Sequence, residues 1–142
     1  MTTRRESILD AVKAALAGTT SVGTKIYRSR VTALTRAESP ALLVSWSNDT
    51  ATQTTSLATL DHTLTIDISV IVRGDTPDEV ADPIVESLHN KIMTNATLDN
   101  LISDIYLTTT TNENIDADQP AGIITCSYEI QYRTLNNNLA SV

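Results

Sequence analysis

The chain has 142 residues, 41% of them hydrophobic, and a net charge of −7 at neutral pH. That length suits one domain with its own core, and no apolar run approaches the roughly 20 residues that a membrane span needs. A body this acidic also argues against general nucleic-acid binding, which relies on clustered Lys and Arg.

The start, Met1-Thr2-Thr3-Arg4-Arg5-Glu6, leads into an amphipathic segment rather than a signal-peptide apolar region. Thr3 and Glu6 have the capping-box spacing, a hydroxyl at the cap and a carboxylate three residues on. Ile8, Leu9, Val12 and Leu16 follow at helical spacing, and Gly18 is a stop. The first helix is therefore expected over residues 4–17. Lys25 to Arg28, extending toward Val31, reads as a short strand with Ile26 inward. Pro40 has no N–H for a ladder and belongs at a strand start or edge. Ala41 to Trp46 is then a short apolar strand. Residues 47–60, rich in Ser, Thr and Asn, read as a flexible loop or the tip of a hairpin.

The strongest signal comes next. From His62 to Arg73, Leu64, Ile66, Ile68, Val70 and Val72 alternate with Thr63, Thr65, Asp67 and Ser69. A second run, Gly122 to Arg133, alternates Ile124, Cys126, Tyr128, Ile130 and Tyr132 with Thr125, Ser127, Glu129 and Gln131. A period of two means a sheet with one dry face and one wet face. At ~3.3 Å per residue each run spans about 40 Å, longer than a small core requires. Strands of that length are expected to project beyond the core as hairpins or partner surfaces.

Between these runs, Arg73-Gly74-Asp75 reads as a turn, and Thr76-Pro77-Asp78-Glu79 opens a helix with a capping hydroxyl, Pro at the first helical position and two acids in the first turn. Val80, Ile84, Val85, Leu88 and Ile92 form its stripe to about Thr94, and Pro83 should kink or restart it. Leu101 to Thr108 is a further strand, with Ile105 and Leu107 on one face, and a polar loop follows to Pro120. Residues 134–142 read as a polar tail, leaving a single α+β domain over 1–133. The order α-β-β-β-α-β-β implies one mainly antiparallel twisted sheet of about five strands, with two helices packed on one face.

Charge and chemistry are uneven. Residues 1–36 hold seven basic against two acidic residues, net +5, whereas residues 37–142 hold three against fifteen, net −12. Either this is solvated surface, or the basic side of one protomer meets the acidic side of the next. In the second reading Arg28, Arg30 and Arg36 would face Asp78, Glu79 and Asp82, and head-to-tail contacts of that kind close into rings. Catalytic signatures are missing. There is no His-Glu-x-x-His, Cys-x-x-Cys, Gly-rich phosphate loop or Gly-x-Ser-x-Gly elbow. His62 and His89 read as surface histidines, and the lone Cys126 as a small buried hydrophobe of a protein that folds in a reducing cytoplasm. The alternation Asn112, Asn114, Asp116, Asp118 suggests a calcium loop, but Ala117 and Ile123 stand where its glycine and bidentate Glu belong. No catalytic residue, metal or cofactor is expected.

Taken in order, several stretches resemble the tail terminator proteins of long-tailed bacteriophages, the family of the lambda minor tail protein U. They are the helix Arg5 to Leu16, Ile26-Tyr27-Arg28, Pro40-Ala41-Leu42-Leu43-Val44, Leu64 to Val72, the capped helix after Gly74-Asp75, and Tyr128-Glu129-Ile130-Gln131-Tyr132. The resemblance implies an α+β protomer that assembles as a homo-oligomeric, hexameric ring on the tail tube. Such a ring stops tube polymerisation and offers a surface to the head. Its partners would be the tail tube protein and a head-completion or neck protein. DNA would cross its channel without specific binding, and no membrane would be involved. Assembly in the host bacterial cytoplasm and a place in the virion follow. Three alternatives stand beside it: another neck or head-completion connector, a small ligand-binding α+β domain using Tyr27, Tyr128 or Tyr132, and nucleic-acid binding through the basic N-terminal third.

Overall fold

Seven elements carry the chain: α1 (Arg4–Leu16), β1 (Ile26–Arg28), β2 (Ala41–Thr52), β3 (Thr59–Arg73), α2 (Pro77–Thr94), β4 (Asp104–Ile115) and β5 (Ala121–Leu135). They are seen in a computed structural model that describes residues 3–19, 22–23, 25–28, 40–53, 59–94, 101–115 and 121–140. The five strands form one sheet in the order β1-β2-β3-β5-β4. Three of its pairings are antiparallel and one, β1 with β2, is parallel. The sheet is therefore mixed, though mainly antiparallel as expected. A parallel pair needs a crossover between its strands, and a three-residue strand carries too little pattern to announce one.

The two alternating strands lie side by side at the centre. They pair over their whole length, from Thr59 opposite Leu135 to Arg73 opposite Ala121. Leu64, Ile66, Ile68 and Val70 are fully buried on the inner face of β3, and Cys126, Tyr128 and Ile130 on that of β5. Ile8, Leu9, Val12 and Leu16 of α1 and Ala81, Ile84, Leu88 and Ile92 of α2 bury against them. Each such side chain withdrawn from water contributes roughly 1.5–3 kcal/mol. Both strands are longer than the alternation indicated, yet burial follows β3 from His62 to Val72 and β5 from Cys126 to Thr134. The expected overhang of these two strands is thus corrected. The helices cover their inner faces within one protomer.

Capping set the helix ends. Thr3 accepts the Glu6 N–H at 3.2 Å, and Gly18 takes the left-handed turn (φ 82°) just past α1. In α2 the apolar stripe is displaced by one residue at its start: Ala81 is buried and Val80 exposed. Pro83 sits on the exposed side, and the helix runs through it without a restart. Ser, Thr and Asn conceal strand in two places. β2 continues to Thr52, with a register shift between Trp46 and Asn48, and β4 continues to Ile115 through residues read as loop. Of the 47–60 segment, residues 54–58 lie outside the described residues. Beyond β5, the Leu139 carbonyl accepts the Arg4 N–H at 2.8 Å, so the end of the described chain meets the start of α1.

The tightest backbone approach is at Gly122. A Cβ there would lie 2.5 Å from Pro77 Cβ, so only glycine lets the start of α2 rest on β5. Gly122→Ala is expected to lower the unfolding free energy by about 1–3 kcal/mol through overpacking. Urea denaturation read by far-UV circular dichroism measures this, and an unchanged midpoint would show that α2 does not bear on that strand.

Candidate functional site

The polar cluster most suggestive of chemistry sits where β2, β3 and β5 end together under the start of α1. His62 continues the inward phase of β3 and pairs with Ala51 and Tyr132 across the sheet. Its Nδ1 lies 3.0 Å from Asp49 Oδ1 and its Nε2 2.9 Å from Thr134 Oγ1. Tyr132 stacks on the imidazole with ring centroids 4.4 Å apart and donates its hydroxyl to Asp49 Oδ2 at 2.5 Å. Arg5 reaches the same oxygen at 3.3 Å and lies over the Trp46 ring at 4.2 Å. The order Asp49, His62, Thr134 is that of an acid, imidazole and hydroxyl relay. A nucleophile must meet its substrate, however, and Thr134 is only 1% exposed. The cluster satisfies buried polar atoms and ties α1 to the sheet.

The reading of both histidines as surface residues is corrected by these contacts. His62 is 6% exposed, and His89, half-buried, lies with Nδ1 2.8 Å from the Tyr128 hydroxyl. Burial pushes the phenols of Tyr128 and Tyr132 far up, and the bond to Asp49 adds to the shift of Tyr132. Burial likewise pushes the Cys126 thiol up, which disfavours the thiolate a nucleophile would need. Among the described residues, no group of three or more His, Cys, Asp or Glu is placed to hold a metal ion. Of the proposed ligand-pocket tyrosines, Tyr128 and Tyr132 are buried and hydrogen-bonded, and Tyr132 with His62 also lines an open cavity of about 370 Å³.

The charged residues singled out in the sequence lie elsewhere. Arg28 in β1 forms bonds of 2.8 and 3.1 Å to the Glu6 carboxylate and of 2.8 Å to Asp10, so it holds β1 to α1 within the protomer. Arg30 and Arg36 lie outside the described residues. Asp78, Glu79 and Asp82 come together on the exposed first turns of α2, above the far end of β4. With Thr110, Thr111, Asn112 and Ile124 they line an open concavity of about 480 Å³. β4 itself is an edge strand, and every residue from Tyr106 to Asn114 is exposed, on both faces of the sheet. Leu107 shares the inner face with buried Ile105, as expected, opposite Tyr128, yet it is 42% exposed on this edge strand.

A family model of phage minor tail protein U matches residues 3–132. Among solved structures, a chain described as part of the virion of a native gene transfer agent particle is similar, at 13% identity and a TM-score of 0.44, over 92% of each chain. That likeness is too low to carry an argument. No curated protein matches the chain.

Two outcomes are expected. Asp49→Ala leaves His62 and Tyr132 without their shared acceptor and should cost about 3–5 kcal/mol, whereas Asp61→Ala, at the exposed pair with Arg133, should cost about 0–1 kcal/mol. Chemical denaturation of both variants measures the contrast, and equal losses would mean the cluster is not buried as described. The bond from Arg28 holds the Glu6 carboxyl below its usual value of 4.5. The folded form thus favours the carboxylate, a stabilisation present above pH 4.5 and lost as pH falls through the depressed value. The stability gap between wild type and Glu6→Gln should therefore close on acidification below that point. A gap unchanged from pH 6 to pH 3 would refute the pairing.

Proposed function

The chain belongs to the phage minor tail protein U family and is a structural tail component of a virion; from that premise we propose that it is a tail terminator. In this reading identical protomers form a closed ring, six-membered by family resemblance, at the head-proximal end of the tail tube. The ring stops tube polymerisation and gives the head-completion protein its docking surface. The family match, which spans nearly the whole chain, is the observation that carries the reading.

The physical character of the protomer supports it. Among the described residues, the hydroxyl of the polar groups arranged as a catalytic relay, Thr134, is only 1% exposed. What the protomer does offer is edge. One side of the sheet ends in a long, bare, acid-flanked strand, and the N-terminal third that supplies the other side is net positive. Unlike edges favour head-to-tail contact, which generates rings. A net charge of −7 also suits a channel through which DNA passes without being held.

A connector elsewhere in the neck would share these edges but would not set tail length. Tails assembled with and without the protein distinguish the two in electron micrographs. Overlong or ragged tails that fail to join heads are expected in its absence. Tails of normal length that still lack heads would favour a neck connector, and normal tails with normal heads would overturn both.

A further inference from the structure

We propose that the outer edge of β4 is the seam at which a second copy of this chain docks, bringing the basic side of its own sheet against it. The inference rests on the ring reading above and assigns the contact to one strand. Among the described residues β4 pairs only with β5, so its other margin presents a row of open N–H and C=O groups along twelve residues. Its exposure is double. Tyr106 and Leu107, on opposite faces, are 39% and 42% exposed, and every residue from there to Asn114 is exposed. Ordering a backbone costs about 1–2 kcal/mol per residue. A strand with one ladder and, past Ile105, only exposed side chains recovers little of that within the protomer. A neighbour that adds a second ladder and covers Leu107 supplies the missing contacts.

Charge selects which part of the neighbour docks. Asp78, Glu79 and Asp82 stand over β4, and Glu113 lies on it. Two β4 edges brought together would oppose these carboxylates. The other end of the sheet is β1, and the sequence segment 1–36 that contains it carries a net charge of +5, with Arg28 held by Glu6 and Asp10 and Arg5 by Asp49. Unlike ends therefore meet, and the contact is heterologous, as a closed ring demands.

The test uses the full chain on tails. Thr110 and Thr111 are adjacent in β4, so one N–H points to β5 and the other points outward. Thr110→Pro and Thr111→Pro are purified, melted, and added with wild type to tails assembled without the protein. One variant should melt like wild type, having lost only the outward N–H, and should cap at least tenfold fewer tails. Wild-type capping by that variant would overturn the seam. If both variants unfold, hydrogen exchange of the wild-type protein decides: β4 amides should exchange at least tenfold more slowly on tails than free, and equal rates would overturn the proposal. Failure of wild type to cap any tail would refute the terminator reading itself, and the seam with it, which separates that failure from loss confined to a β4 variant.

Discussion

Everything in this fold is referred to the pairing of β3 with β5. Their fifteen-residue register sets which side chains face the helices. A slip of one residue would turn Leu64, Ile66, Ile68 and Val70 to water and bring Thr65 and Asp67 beneath α1 and α2. Register is strongly held because both strands alternate over nearly their whole length and both inner faces are buried. On the wet face, Ser69 meets Thr125 at 3.0 Å and Ser127 donates to Asp67 at 2.7 Å, so cross-strand hydrogen bonds reinforce the same register. The other three strands are arranged outward from this pair.

What could be read from the sequence follows from where burial leaves a period. The alternations in β3 and β5, the stripe of α1 and the cap of α2 are visible because one face of each is apolar. β4 has hardly any such face. Thr108, Thr109, Thr110 and Thr111 are exposed wherever they point, so the chemistry of a loop and of a bare edge strand looks the same. The far part of β2 was hidden in the same way. The polar cluster was missed for a different reason. His62 and Thr134 both sit in the inward phase of their strands, two residues beyond Leu64 and Tyr132, and that phase was the available signal. The His62 partner Asp49 was unreadable, because a register shift after Trp46 decides which residues of β2 face inward.

The length of the central strands first suggested surplus surface, and the structure relocates that surplus. β3 and β5 are long because two helices and a buried polar cluster cover them. The uncovered strand is β4, and its position next to the acidic start of α2 gives one end of the sheet a definite sign. Membership of a structural tail family stands beside the burial of the hydroxyl–imidazole–carboxylate chain of Thr134, His62 and Asp49.

The bond between the Arg4 N–H and the Leu139 carbonyl has a topological consequence. It brings both ends of the described chain to one point beside α1, so the polypeptide traces a nearly closed circuit. In a circuit the order of elements along the chain matters less than their adjacency in space. A short peptide joining the ends, with a cut elsewhere, would yield a rearranged gene with the same sheet. In the proposed ring, both ends of the described chain would leave from a single spot on each protomer. Anything fused there would then decorate such a ring once per subunit at the same radius.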